Sequence, residues 1–293
     1  MRDTDQMTEQ ISETGGITLC HESFGDPADP PLLLVMGLAA PMIWWDDEFC
    51  AQLAEAGFHV HRFDNRDVGR SGHGTGRANL PLAYVLRSAP YSLADLADDA
   101  ANLLDALDIE RAHLVGASMG GMIVQEFAIR YPHRVRTLTS IMSTTGARNV
   151  GLPSPRAALA MLAPGPRTRE EYVTQLVRTS KLIGSPGYPF DEEHFRRRAE
   201  RTYDRGLNPA GVFRHLAAIL SARDRTADLR RLAVRALVIH GAADPLVHVS
   251  GGRATARALG ADLDVVPGMG HDLPREVWPR VIAGIRRIAF ANR

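Results

Sequence analysis

The 293-residue chain has only two cysteines, Cys20 and Cys50, and a single lysine, Lys181, among 34 basic residues. Two cysteines in a chain of this length make neither a disulfide framework nor a metal-ligand cluster, so both are expected as buried small hydrophobes. Long apolar runs are missing too. The longest, such as Pro31–Met36, are strand-sized and fall well short of the roughly 20 residues a membrane-spanning helix needs. Net charge is zero, with 34 acidic residues against the 34 basic ones. That argues against a nucleic-acid partner, because neutralising phosphates takes a surplus of cations on at least one face. Residues 1–16, MRDTDQMTEQISETGG, have no apolar core or small-residue cleavage site, so they read as a disordered leader on a cytoplasmic protein rather than a signal peptide. The glycine-rich stretch Gly69–Gly76 lacks the lysine and spacing of a phosphate-binding loop. No metal or cofactor is expected.

What the chain does have is a 45% hydrophobic composition, enough to bury a sizeable core. Short apolar runs alternate with helix-period segments, the pattern of strands joined by crossover helices in a mostly parallel sheet. Strands are expected at 17–23, 31–36, 59–63, 112–117, 136–142, 235–240 and 262–267. Ser92 followed by Asp95 opens a helix with a capping-box-like start, and Leu93, Leu96, Ala100, Leu103, Leu104 and Leu107 form its apolar stripe. Another helix runs from Met119 to Arg130 and stops before Tyr131-Pro132.

From Gly146 to about Arg225 the strand rhythm disappears and helices are expected at 169–182, 191–205 and 209–222. This segment interrupts the sheet pattern, so the expected organisation is a first core part at 1–145, a helical cap at 146–225 and a second core part at 226–293. The segment 146–225 holds 14 basic and 8 acidic residues while the remainder holds 20 and 26. Most of that surplus reads as a solvated helix face, Arg196-Arg197-Arg198 especially. A positive rim for anionic or carbonyl-rich substrates is the functional alternative.

Gly-Ala-Ser-Met-Gly at 116–120 falls between an expected strand and an expected helix. By chance a Gly-x-Ser-x-Gly arises roughly 0.1 times in a chain of this composition, so its position carries more than the match itself. A strand, a two-glycine turn with one serine, and a helix present a nucleophilic hydroxyl at a sheet edge. Such a serine needs a base within hydrogen-bond reach and a third group to orient that base. Asp244 lies in the turn Gly241–Pro245 that follows the strand ending at His240, and His271 lies in the loop Gly268–Asp272 after the next strand. Both are at strand C-terminal ends, where parallel sheets place functional groups.

The order Ser118, Asp244, His271, together with Gly-Ala-Ala-Asp-Pro at 241–245 and Gly-Met-Gly-His at 268–271, resembles the α/β-hydrolase superfamily over nearly the whole chain. Asp64–Ser71 resembles the Asp-x-Arg-x-x-Gly-x-Ser segment common in that superfamily and reads as a structural turn. Phe24–Pro30, Leu33–Gly37 and Pro267–His271 are most similar to the aclacinomycin methylesterase group of actinobacterial esterases. The resemblance implies an α/β-hydrolase fold, with a mostly parallel sheet, flanking helices and an inserted helical cap. It also implies carboxylic-ester hydrolysis, on a polyketide-type methyl ester or another small apolar or amphipathic ester. Oxyanion donors are expected from the backbone N–H groups of Met119 and Leu38. Many members of the superfamily carry His-Gly where this chain has Met36-Gly37-Leu38, so the bracing of that loop is open.

Ordinary explanations cover most rivals. His59, His61, His113 and His240 lie in or at the end of strands, whereas His248, four residues beyond Asp244, is near enough to reach the site. Asp264 lies within its strand and Asp272 directly follows the histidine, so neither is placed to support the imidazole. Ser140–Thr145, where some relatives carry the acid, has no carboxylate. Trp44 and Trp45 read as core or cap contacts, and Met161 and Leu162 as core or pocket lining. The same triad also serves lactones, thioesters, carbon–carbon bonds and perhydrolysis, and a non-turnover binder of hydrophobic ligands is the rival of a different kind. Monomer and homodimer both remain open.

Overall fold

Gly15 and Gly16 take φ of 56° and 88° and turn the chain back on itself, with Thr14 paired to Ile17 across them. In the computed structural model, whose described residues are 9–161 and 165–291, Gln10–Thr14 (β1) and Ile17–Phe24 (β2) therefore form an antiparallel hairpin. This corrects the expectation of a disordered leader over 1–16, since 10–14 is a strand; residues 1–8 lie outside the described residues. The overlooked signal was Gly-Gly, which supplies the two positive φ values that a two-residue hairpin turn demands.

The other strands are Pro31–Val35 (β3), His59–Phe63 (β4), Ala112–Ala117 (β5), Val135–Ile141 (β6), Arg235–Gly241 (β7) and Asp262–Val266 (β8). They lie within a residue or so of the expected runs. The eight form one sheet in the order β1-β2-β4-β3-β5-β6-β7-β8, parallel from β4 through β8. Every residue of β5 is buried, as befits a central strand covered on both faces.

The helices are Asp47–Glu55 (α1), Leu80–Leu86 (α2), Leu93–Ala106 (α3), Met119–Arg130 (α4), Pro155–Met161 (α5), Arg169–Ile183 (α6), Glu192–Asp204 (α7), Pro209–Ser221 (α8), Thr226–Leu229 (α9), Ser250–Leu259 (α10) and Trp278–Phe290 (α11). Alternation along β3 divides the core. Leu33 and Val35 pack with α3, α4 and α10 on one face, and Leu32 and Leu34 with α1 and α11 on the other. The capping box at Ser92 is formed, with both reciprocal hydrogen bonds present. Cys20 and Cys50 are buried free thiols. Among the described residues no helix is long and apolar enough to cross a membrane.

Helices α5–α8 all lie between β6 and β7, and much of their basic surplus goes into ion pairs with the sheet's loops. Arg205 Nη2 lies 2.6 Å from Asp64 Oδ2, Arg214 Nη2 lies 2.6 Å from Asp67 Oδ1, and Arg198 pairs with Asp46. Arg196 and Arg197 are exposed, as a solvated face requires, and Arg197 pairs with Glu193 on its own helix. The Asp64–Ser71 segment is thus a structural turn that also anchors the helices. Asp64 accepts from the Met42 and Arg70 N–H groups at 2.7 and 2.9 Å. Asp67 accepts from Tyr91 Oη at 2.7 Å, and its carboxyl is held down at about 2, where burial alone would raise it, chiefly by hydrogen bonds from Arg214 and Tyr91.

Three buried histidines make stability sensitive to acid. Burial pushes the imidazole of His61 down to about 3 and those of His113 and His215 down to about 4. Each stays neutral in the fold while the unfolded chain takes up a proton near pH 6.5, so stability is fully present above that pH and is lost as the pH falls towards 4. Each contributes at most about 1.4 kcal/mol per pH unit. The urea midpoint is expected to be clearly lower at pH 5.5 than at pH 7.5, and an equal or higher midpoint at pH 5.5 would refute this.

Candidate active site

Ser118 stands between β5 and α4 with φ 56° and ψ −120°, a conformation that L residues rarely adopt. Its neighbours explain how the turn is tolerated. A Cβ on Gly120 would meet Val35 O at 2.0 Å, and one on Gly116 would meet Gly120 O at 2.2 Å. Only glycine lets α4 start this close to the sheet. The Ser118 N–H donates to Ile141 O at 2.9 Å and Ser143 Oγ donates to Ser118 O at 2.7 Å, so the turn is tied on both sides.

The structure brings the three residues singled out in the sequence into one hydrogen-bonded row. His271 Nε2 lies 3.0 Å from Ser118 Oγ, and His271 Nδ1 lies 2.8 Å from Asp244 Oδ2. Asp244 Oδ1 accepts the N–H groups of Leu246 at 2.9 Å and Val247 at 2.8 Å. Burial would raise the Asp244 carboxyl, but the His271 charge and the hydrogen bonds from His240, His271 and Val247 hold it at about 2. An ionised carboxylate in this place accepts from Nδ1–H and so orients the imidazole with Nε2 towards the serine. His240 Nε2 lies 3.5 Å from Asp244 Oδ2 and 2.7 Å from Val247 O, so this strand-end histidine backs the carboxylate.

Two backbone segments lie next to the serine. Met119 opens α4, where its N–H has no intrahelical acceptor and sits at the positive end of the helix dipole. The loop after β3 carries Leu38, and a Cβ on Gly37 there would lie 3.1 Å from Ser118 Cβ. Asn65 Nδ2 donates to Met36 O at 3.0 Å.

Ser118 and His271 open onto a cavity of about 500 Å³ whose other walls are largely apolar, including Trp44, Phe49, Leu176, Phe195, Val212 and Leu246. Trp44 bridges sheet and helices, its indole N–H donating to Thr202 Oγ1 at 3.1 Å with Arg198 stacked 5.2 Å over the ring. Trp45 lines the same cavity but is buried and stacks on Phe49. His248 is exposed, bonded to Ser250, and is not part of the wall. Asp264 pairs with Arg280 on α11. Asp272 does reach the cavity wall; burial raises its carboxyl, and it accepts from Ser185 Oγ. The Met161 side chain and Leu162 lie outside the described residues.

The sequence reading missed the residues that hold the histidine loop. Ile183 O accepts the His271 N–H at 2.7 Å, Ser185 Oγ accepts the Gly270 N–H at 2.8 Å, and the Gly187 N–H donates to Gly268 O at 2.9 Å. These anchors lie at the C-terminal end of α6 and just beyond it, eighty-odd residues earlier in the chain. Their only sequence signal was a Gly-Ser-Pro-Gly run of the kind that lets two backbones touch.

Comparison with known proteins decides the family. The family described as having the α/β hydrolase fold matches residues 30–274. The chain belongs to the α/β hydrolase family. It is therefore an enzyme of the hydrolase kind, and its similarities run in that direction. It is 34% identical to a rhodomycin D methylesterase of Streptomyces sp. (strain C5), over 92% of this chain and 94% of that protein. It is likewise 34% identical to a rhodomycin D methylesterase of Streptomyces peucetius, with the same coverage of both. The crystal structure of the enol-lactonase from Burkholderia xenovorans LB400 superimposes with a TM-score of 0.74 at 22% identity, covering 95% of this hydrolase and 99% of that chain. At that identity the likeness concerns the fold alone.

Proposed function

We propose that this hydrolase cleaves a carboxylic ester, of the methyl-ester kind on a bulky and largely apolar acid such as a polyketide-type acid, through an acyl-enzyme. The observation that carries the reading is the row from Asp244 through His271 to Ser118, ending at the floor of the apolar cavity. Ser118 Oγ attacks the ester carbonyl while its proton passes to His271 Nε2. The Leu38 and Met119 N–H groups hold the resulting oxyanion, each typically worth about 2.7–4 kcal/mol in the transition state. Collapse expels the alcohol, which takes the proton from His271, and leaves the acyl group on the serine. Water then gives a proton to His271 and attacks the acyl carbon, and collapse breaks the bond to Ser118 Oγ, which takes that proton back from His271 as the acid leaves.

Residues 146–225 act as a cap over this site. The methylesterase relatives support the ester assignment, and the cavity's walls, drawn from α6, α7 and α8 as well as the sheet loops, support a cap that selects the acid portion. Few charged groups face the cavity, so an apolar acyl group loses little by entering it.

A fluorophosphonate should label one residue, Ser118, stoichiometrically. In a panel of an aryl methyl ester, a lactone, a thioester and a carbon–carbon cleavage substrate, the methyl ester should turn over fastest. Labelling elsewhere would overturn the serine assignment. Faster turnover of another panel member would overturn the ester assignment, and tight binding of the panel without product would favour a ligand binder.

A further inference from the structure

We infer that His215, on α8, is a positioning residue for the oxyanion loop, so that the helical segment itself aims the Leu38 N–H. This rests on the serine-hydrolase reading above and deepens it. The loop from Met36 to Ala40 carries no histidine of its own, and Ala39 sits at φ 53°, a region that costs a non-glycine residue about 1 kcal/mol or more. Within the loop, the turn is closed only by a long hydrogen bond from the Ala40 N–H to Gly37 O at 3.4 Å, so a contact from outside the loop adds to its hold.

His215 does so from the far side. The Ala39 N–H donates to His215 Nδ1 at 3.2 Å, and His215 Nε2 donates to Arg66 O at 3.0 Å. With Nδ1 accepting from a backbone N–H and Nε2 donating to a backbone carbonyl, tautomer and ring orientation are both fixed. The imidazole is fully buried, and burial pushes it down to about 4, so it stays neutral near pH 7. A protonated ring would turn a donor towards the Ala39 N–H.

The other end of the loop is clamped at Met36 O by Asn65, the residue next to Arg66. The peptide that presents the Leu38 N–H therefore hangs between two clamps, Asn65 before it and His215 after it. One belongs to the sheet's turn and the other to α8. A small rotation of that peptide changes the direction of the donor while leaving the cavity walls in place. The effect belongs in kcat and not in KM, because the oxyanion exists only in the transition state.

Two isosteres separate this role from simple packing. In His215→Asn the amide oxygen can stand where Nδ1 stood and accept the Ala39 N–H. In His215→Gln the amide reaches the Nε2 position and leaves that N–H unpaired. With p-nitrophenyl butyrate, His215→Gln is expected to lower kcat by about 10- to 100-fold with KM changed less than about threefold, less than the roughly 100- to 1,000-fold for outright loss of an oxyanion donor because the donor is misdirected and not removed. His215→Asn should keep kcat within about fivefold of wild type, with melting temperatures recorded for both. Equal losses in the two variants, or a change carried by KM, would overturn the proposal. Ser118→Ala run beside them keeps the readings apart: residual turnover there would indict the serine assignment and say nothing against His215. Should neither histidine variant fold, imidazole ¹⁵N shifts of the wild-type protein decide, since the neutral Nε2–H tautomer is required and an Nδ1–H tautomer refutes it.

Discussion

Asp244→Asn is expected to lower kcat by about four orders of magnitude, the loss such a substitution gives in a serine triad. The reason lies in how Asp244 is held. Its Oδ1 accepts two backbone N–H groups, from Leu246 and Val247, so the oxygen of an asparagine must take that place. The amide NH2 then faces His271 Nδ1, where the carboxylate accepted a hydrogen bond at 2.8 Å. A donor in that position forces the imidazole to accept at Nδ1 and to carry its proton on Nε2, pointing at Ser118 Oγ. The base can no longer take the serine proton. KM should stay within about threefold, because the cavity walls are untouched. Steady-state kinetics on p-nitrophenyl butyrate test this, and a loss smaller than about tenfold would sink the assignment of Asp244. Asp264→Asn, which disturbs only the pair with Arg280, should leave kcat within about twofold.

That contrast between two aspartates was legible in the sequence because it depends on strand ends. Asp244 follows β7 and His271 follows β8, and an apolar run marks where each strand stops. The helices at 93–106 and 119–130 were legible for a similar reason, through their apolar periodicity and their start and stop signals. What the sequence did not disclose depends on approach between distant segments. Ser185 touches the histidine loop and His215 touches the loop after β3, across separations of 85 and 176 residues. Neither belongs to a motif. The short leader strand was missed through local chemistry, because Gly15-Gly16 passed for a flexible tail instead of a hairpin turn.

The charge surplus of residues 146–225 was read mainly as a solvated face, and this holds for Arg196 and Arg197 but not for Arg198, Arg205 or Arg214. Exposed pairs of this kind contribute little. The buried guanidiniums of Arg205 and Arg214 instead meet fully buried carboxylates, Asp64 and Asp67, and removing one partner would leave the other charge buried and short of a partner. Their spacing is geometric as well as electrostatic. Asp67 touches α8 through Arg214 one residue after Arg66 O receives His215. The same turn that anchors the helical segment therefore also bonds the histidine that touches the loop after β3.

Gly120→Ala should be severely damaging for a change of one methyl group. A Cβ there would lie 2.0 Å from Val35 O, 2.7 Å from Val35 C and 2.8 Å from Met36 O. All three atoms are backbone, at the end of a central strand paired on both sides with β4 and β5, so no side chain can rotate out of the way. Relief requires α4 to move away from β3 by more than an ångström. That motion breaks packing on the core face that α4 shares with α3 and carries the Met119 N–H away from the serine. The expected loss of stability is about 3 kcal/mol or more, the upper range for overpacking, and kcat should fall with it because helix and donor move together. Gly284 on α11 is the control, since its added Cβ meets only the end of the Leu237 side chain, at 2.9 Å. Gly284→Ala in a helix interior should change stability by no more than about 1 kcal/mol, the gain in helix propensity offsetting the contact. Urea unfolding midpoints of the two variants test the difference. Wild-type stability and turnover in Gly120→Ala would mean that α4 does not press on β3 as closely as this geometry requires.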